Sequence, residues 1–299
     1  MNHEPVTILL NPAAGRGRAT RHAASIVEIL QSFGIRSNLV RSSAVGDLER
    51  LAAELARSNA KQMIVAGGDG SVHEAVNGIL KVGGKTALGV IPIGTGNDFA
   101  KASDTPLNWR DATSVLAARL RDGEPTRKVD AGRMNDRFFA NGVGIGFDAK
   151  INRIARKYKW PIGDLVYLFA VFEGMWDSVI TPNVEMTYAG VTYDGPITLA
   201  NVSNGPWVGG MFHIAPMARI DDGQLDLVIA KPVTRRRILV LLPKLIKGTH
   251  IGAPDISTHR IRDFRLIADA PVPCHLDGET QPLQTEFEIE ILDRALSLL

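Results

Sequence analysis

Four short strand-like segments in the first hundred residues, each ending in a polar turn, constrain the fold more than any other feature of the chain. Val6 to Leu10 is continuous and apolar, as expected of a strand buried on both faces. Ser37 to Arg41, Met63 to Ala66 and Leu88 to Ile93 are the next three. Between them lie segments with helical spacing. Ala19 to Phe33 carries Ala23, Ile26, Val27 and Leu30 on one face and stops at Gly34. Asp47 to Arg57 carries Leu48, Leu51 and Leu55, and His73 to Leu80 forms a third helix. Strands alternating with helices imply parallel βαβ units, so an open α/β domain is expected over residues 1–128.

Beyond residue 128 the period changes. Val184, Met186 and Tyr188 alternate with Glu185 and Thr187, and Phe287, Ile289 and Ile291 alternate with glutamates. Period two marks antiparallel sheet with one wet face, and Asp-Gly pairs at 194, 222 and 277 mark its turns. A β-rich second domain over 129–289 follows, with helices at Asp148–Tyr158, Gly163–Asp177 and Thr234–Lys247. Pro243 is expected to kink or end the last of these. The sequence leaves open whether residues 290–299 return to the first domain. A length of 299 residues with 45% apolar composition is enough for two ordinary cores.

Charge and cysteine usage exclude several classes. A net charge of +2 is too weak to argue for nucleic acid. The single cysteine, Cys274, rules out a disulfide framework and suits a cytoplasmic setting; it reads as structural. The first residues lack the basic and apolar regions of a signal peptide, and the longest apolar runs are too short to span a bilayer. No histidine pair has metal-ligand spacing.

The chemistry concentrates in loops. Gly67-Gly68-Asp69-Gly70-Ser71 lies between a strand and a helix. Glycines let the backbone approach a ligand, and a helix start offers free N–H groups, so such a junction binds phosphate. Asp69 beside phosphates implies an intervening cation, magnesium being the natural one. Ser71 with Glu74 three residues on reads as a capping box. Taken alone, a helix start with a tight turn explains this segment about equally well. Asn11 to Gly15 and Ile93 to Phe99 occupy equivalent places after the first and fourth strands, where open α/β sheets bind ligands. Neither a Walker A nor a dinucleotide pattern is present. Leu276-Asp277-Gly278-Glu279 places two carboxylates around a turn; alone it is an ordinary hairpin.

Six segments in order resemble the diacylglycerol-kinase catalytic family, in particular its bacterial soluble lipid kinases: Asn11-Pro12-x-x-Gly15, Gly67 to Glu74, Ile91 to Ala100, Asn141 to Ala149, Asp222-Gly223-x-Leu225-Asp226 and Leu276 to Glu279. The resemblance covers nearly the whole chain. It implies a first domain like that of phosphofructokinase and NAD kinase, a β-sandwich second domain, and ATP in the cleft between them. It implies ATP contacts from Asn11, Pro12, Ala13, Ala14 and Gly15, from Ser42, from Gly68, Asp69, Gly70, Ser71, Val72, His73 and Glu74, and from Thr95. Ser71 and His73 stand where Thr and Asn are common in the family. It implies a magnesium-and-water network on Asp69, Asp277 and Glu279, with Glu279 as general base. A separate structural magnesium would take the Asp222 carboxylate and the carbonyls of Arg219 and Gln224.

The implied activity is ATP-dependent phosphorylation of a lipid hydroxyl, diacylglycerol or a related lipid, in phospholipid biosynthesis. A NAD-kinase-like phosphotransferase on a soluble substrate, or a non-catalytic nucleotide- or lipid-binding protein, are the alternatives. The Leu276 to Glu279 and Asn11 to Gly15 motifs favour the lipid branch, and three intact carboxylates argue against loss of catalysis. Such an enzyme is expected at the inner face of the membrane, peripheral and without an anchor. Lys150 to Trp160 joins five cations to two aromatics without an acid and is the preferred bilayer contact, with Arg235 to Lys247 next. A solvated face or a homodimer contact competes with that reading.

Overall fold

The computed structural model describes residues 4–158 and 165–299, which form two compact units, 1–130 with 294–299 and 131–293. The first unit runs β1 (Val6–Leu10), α1 (Ala14–Ser32), β2 (Ser37–Arg41), α2 (Asp47–Arg57), β3 (Gln62–Gly67), α3 (Asp69–Lys81), β4 (Ala87–Pro92), α4 (Asp98–Ala102) and α5 (Trp109–Asp122). Its strands pair in parallel in the order β2-β1-β3-β4. β5 (Arg127–Met134) then leads into the second unit. Ile8, Leu10, Ile64, Ala66 and Ile91 from the sheet pack against Ala19, Ala23, Ile26 and Leu30 of α1 and Leu116 of α5. Period-one burial along β1, β3 and β4 is what a parallel sheet covered on both faces requires.

One local expectation, a first helix starting at Ala19, holds here, and two fail. α1 is nominally longer than its apolar face, but Gly15, Arg16 and Gly17 have left-handed backbone, so regular helix begins near Arg18. α3 begins at Asp69, four residues before the expected start, and its N-cap is Gly68. The capping box does not form. Ser71 Oγ instead accepts from Asn11 Nδ2 at 3.1 Å, and Glu74 accepts from the N–H groups of Gly46 and Leu48, both at 3.0 Å. Glu74 therefore closes the start of α2, not of its own helix. The helix α5, which the apolar spacing did not announce, is bounded by clear signals: Asn108 accepts from Arg110 N at 2.9 Å, and Gly123 ends it with φ +65°.

The second unit continues with β6 (Arg137–Phe139), β7 (Gly142–Gly146), α6 (Phe147–Ala155), α7 (Leu165–Asp177), β8 (Asn183–Tyr188), β9 (Val191–Pro196), β10 (Leu199–Ser203) and β11 (Leu225–Ala230). Then come α8 (Arg235–Lys247), β12 (Ile256–Ile261), β13 (Asp263–Val272), β14 (Cys274–Leu276), β15 (Glu279–Thr280) and β16 (Gln284–Leu298). One sheet has the order β12-β11-β10-β7-β14-β15; the other stacks β16, β13, β8 and β9. Val143, Ile145, Val202 and Leu227 of the first meet Met186, Phe264, Leu266 and Phe287 of the second in one core. That is a β-sandwich, with α6, α7 and α8 added outside. Lys159, Trp160, Gly163 and Asp164, part of two expected segments, lie outside the described residues. Pro243 does not end α8. Pro243 and Leu239 are both exposed, so the Leu239 carbonyl that loses its N–H partner can be hydrated. The end of β16 returns to the first unit, where Leu298 pairs in parallel with Leu88.

Candidate active site

In the first unit three loops meet at the C-terminal ends of β1, β3 and β4. Asn11 organises them. Its Oδ1 accepts from Ala13 N at 3.0 Å while its amide donates to Ser71. Arg18 ties the first loop to the third, donating to Gly15 O at 3.1 Å and to Gly94 O at 3.1 Å. The loops approach backbone to backbone. A Cβ on Gly15 would lie 2.3 Å from Ile93 O, and one on Gly94 2.5 Å from Gly68 Cα. Glycine is thus required at these places by loop packing, before any ligand is considered. Ser42 follows β2 beside β1, with its N–H on Leu10 O at 2.9 Å, and Thr95 is exposed at the tip of the third loop.

Not every residue of the glycine motif faces this surface. Val72 and His73 are each 3% exposed, and Asn77 donates to the His73 carbonyl at 2.9 Å. With Glu74 committed to α2, the motif divides into a loop half, Gly68 to Ser71, in which Ser71 is as buried as Val72 but turns its Oγ to Asn11 of the first loop, and a packing half. Asp69 opens α3 and accepts from Phe99 N at 3.2 Å. Burial, and then the neighbouring Asp98 carboxylate, push Asp69 up to about 7 against the N–H groups of Asn97, Asp98 and Phe99. A bound cation beside such a carboxylate would restore its charged form. Asp98 and Arg18 were not singled out from sequence; each acts across a chain separation that no local pattern records.

In the second unit the β14–β15 turn carries the other carboxylates. Asp277, with φ +50°, accepts from the N–H groups of Ala140 at 3.0 Å, Asn141 at 2.7 Å and Gly142 at 3.0 Å. Both its oxygens are engaged by backbone, so Asp277 anchors the turn. Glu279 is held differently. Arg156, the residue that follows α6, reaches its carboxylate at 2.7 Å, and Asn152 of α6 donates to the preceding carbonyl of Gly278 at 2.7 Å. Helix α6 therefore sets where Glu279 points.

The basic stretch over α6 is largely used inside the fold. Lys150 donates to Asp177 and to Ser178, Arg153 donates to Gln281 O, and Arg156 pairs with Glu279. Lys157 is exposed. At the Asp222 turn, Asp222 accepts from Gln224 N at 3.1 Å and pairs with Arg260. Nearby Asp226 has Oδ2 buried without a hydrogen-bond partner, and burial first, then Asp222, against the opposing Arg260, push it up to about 6. The turn fits a further positive charge, although no cluster of three His, Cys, Asp or Glu side chains occurs among the described residues. Cys274 is fully buried in β14, and burial raises its thiol to about 11, in keeping with a structural role.

Residues 5–134 match the family described as diacylglycerol kinase catalytic domain, and residues 141–299 match the YegS C-terminal NAD kinase beta sandwich-like domain. A relative from Bacillus subtilis (strain 168) named diacylglycerol kinase is 30% identical over 91% of this chain and 88% of its own length. The chain belongs to the diacylglycerol-kinase family. Another member, the diacylglycerol kinase of Mycobacterium tuberculosis (strain ATCC 25618 / H37Rv), is 28% identical over 95% of this chain and 94% of its own. A solved structure from Bacillus anthracis str. Sterne, provisionally assigned as a diacylglycerol kinase, superposes with a TM-score of 0.81 at 26% identity, covering 100% of this chain and 97% of the other. Family membership makes the protein a kinase of lipid metabolism, with ATP as phosphate donor. Among the described residues no helix is long and apolar enough to cross a membrane.

Proposed function

We propose that this kinase transfers the γ-phosphoryl group of ATP to a hydroxyl of a membrane lipid, diacylglycerol or a related one. The observation that carries the reading is Glu279, partly exposed on a turn that Asp277 anchors and that α6 orients, in a chain whose relatives bear the name diacylglycerol kinase along nearly their whole length. The phosphates lie against Asn11 to Gly15, Ser42, Gly68 to Ser71 and Thr95. Glu279 takes the proton of the lipid hydroxyl as its oxygen bonds to the γ-phosphorus. The bond from that phosphorus to the bridging oxygen breaks, and ADP leaves with the electron pair. Magnesium, bound with ATP and held by Asp69 directly or through water, would neutralise phosphate charge. Replacing Asp69 by Asn should weaken Mg-ATP binding in titration calorimetry and leave the melting temperature of the apoprotein equal or higher, since a carboxylate pushed towards protonation is lost. Unaltered Mg-ATP affinity would remove Asp69 from the site.

A second magnesium is assigned to Asp222 with the carbonyls of Arg219 and Gln224. Asp222→Ala should lower thermal stability and abolish any stabilisation by magnesium. Equal melting curves for both proteins, with and without a chelator, would sink that assignment.

The bilayer contact is assigned to α7 and α8. Leu165, Phe169, Phe172 and Trp176 recur every three or four residues along α7 and are all exposed, Trp176 at 86%. α8 exposes Leu239 and Val240 beside Arg235, Arg236, Lys244 and Lys247, with no acid in the helix. Arg235 donates to Trp176 O at 3.3 Å, so the two helix ends adjoin. Apolar side chains flanked by cations suit the interface of an anionic bilayer. Phe169, Phe172 and Trp176 changed together to Ser should weaken sedimentation with phosphatidylglycerol vesicles by about tenfold or more. Unchanged vesicle binding removes this face, and a shift from dimer to monomer in its place makes it a subunit contact.

The overall reading is tested with labelled ATP and a panel of lipids in mixed micelles, with NAD+ as a soluble acceptor alongside. Label is expected on a lipid. Label on NAD+ and on no lipid would overturn it.

A further inference from the structure

Strands β10, β7 and β14 lie side by side, and their register sets Asn201, Gly144 and His275 in one row. Val202, Ile145 and Cys274, one residue along each strand, point into the sandwich core, so the row faces the other way, where α6 packs on β7 and β14. The side of a sheet that a helix covers is ordinarily apolar. Here His275 and Asn201 are each 2% exposed, and Asp148 comes down on them from the first turn of α6. A side chain on Gly144 would collide with both Asp148 Oδ2 and His275 Nε2. The missing Cβ is the space in which carboxylate and imidazole face each other.

The polar groups of the row run in one direction. Ser203 Oγ donates to Asn201 Oδ1 at 2.6 Å, which turns the Asn201 amide nitrogen to Asp148 Oδ2 at 3.4 Å. Ala149 N donates to the other oxygen, Oδ1, at 2.7 Å. A carboxylate so placed is an acceptor on every side. At the far end Gly278 N, which can only donate, meets His275 Nδ1 at 3.3 Å. The ring proton therefore sits on Nε2, which faces Asp148 Oδ2 at 3.7 Å. Gly278 O accepts from Asn152 at 2.7 Å. Both polar groups of the residue before Glu279 are thus held, the carbonyl by α6 and the N–H by His275.

We infer that His275 is a positioning residue for Glu279, and that Asp148 selects the ring tautomer that lets it act. The inference rests on the reading of Glu279 as the base. With its proton on Nε2 the ring accepts from the turn. With the proton on Nδ1, ring and Gly278 would present two donors to each other, and the turn would be released. A reacting group displaced by about 1 Å can lose about 10²-fold in rate. The row thus extends from the middle of the sheet to the backbone that aims the carboxylate, without touching the reacting atoms.

Nitrogen-15 spectra of the full chain labelled at histidine report the tautomer, His275 being identified by its loss in His275→Asn. The Nε2–H form is expected in the wild type. In Asp148→Asn, Ala149 N keeps the amide oxygen at the Oδ1 place, so the amide nitrogen faces Nε2 and the ring should switch to Nδ1–H. In that variant and in His275→Leu the Gly278 amide should exchange with solvent about fivefold faster, as on loss of one ordinary hydrogen bond. With a short-chain diacylglycerol in mixed micelles, both should lower kcat by about ten- to hundredfold, with KM for ATP unchanged. His275→Asn, whose Oδ1 falls near the place of Nδ1, should recover most of that loss. In a Glu279→Gln background the same substitutions should cost little more, because residues that act as a unit are not additive. An equal fall in both backgrounds makes His275 merely structural and overturns the inference, as does an Nδ1–H ring in the wild type. If His275→Leu does not fold, Asp148→Asn carries every arm. If ring and amide behave as stated while the wild type phosphorylates no lipid, or while Glu279→Gln keeps its turnover, the kinase or base reading falls and the hold on the turn stands.

Discussion

Glu279→Gln is expected to lower phosphoryl transfer by about 10²–10⁴-fold, the range a positioned general base contributes, while Mg-ATP affinity stays near that of the native protein. The substitution keeps the shape of the side chain and an oxygen that can still accept from Arg156, which holds the native carboxylate at 2.7 Å. It removes the capacity to take a proton. Glu279 is partly exposed and its backbone is fixed by the Asn152 contact to Gly278, so the fold does not depend on its charge. Single-turnover rates with saturating ATP, beside calorimetric titration of Mg-ATP, separate the two effects. A Glu279→Gln protein retaining most of its turnover would falsify the assignment of the base.

Asp277→Ala is expected to act through stability. Three backbone N–H groups from Ala140 to Gly142 converge on this carboxylate. Hydrogen bonds to a charged group contribute more than neutral ones, and stranding their donors adds a desolvation cost, so a loss of about 3 kcal/mol is expected. In a unit of this size that lowers the melting temperature by about 10 °C. Activity should fall as well, because the turn that presents Glu279 is freed. Asp277→Asn should lie between, since Asn tolerates the left-handed backbone and retains one acceptor oxygen. A melting temperature equal to wild type for Asp277→Ala would show that the anchoring is worth little. The pair of substitutions thus separates chemistry from scaffolding within three residues of chain.

Elements governed by local pattern were legible from the sequence. β1, β2 and α2 begin and end where apolar period and turn residues place them. The start of α3 was misplaced because Ser71 and Glu74 satisfy groups on other elements, Asn11 and the start of α2. A capping rule reads only neighbours in sequence. The same limit hid Arg18, Asp98 and Arg156, each of which meets its partner across the fold. Lys150, Arg153 and Arg156 looked like a free basic face because their acceptors, Asp177, Gln281 and Glu279, lie far along the chain. The exposed side of α7 was illegible for another reason. The helix is apolar on both sides apart from Glu173 and Asp177, with Val166, Ala170, Val171 and Met175 buried opposite the exposed aromatics, so period alone cannot say which side packs.

The division of the glycine motif into a loop half and a packing half bears on what the motif can testify to. Val72, His73 and Glu74 hold α3 and α2 in place whether or not a phosphate ever arrives. A descendant of such a chain that had ceased to turn over would still be obliged to keep them, on pain of losing the first unit, and with them much of the recognisable signature. Glu279 carries no such debt to the architecture. Its loss would leave a protein that still looked like a kinase along most of its length, so if Glu279 is the base proposed above, the identity of this one side chain would separate a working enzyme from a folded relic.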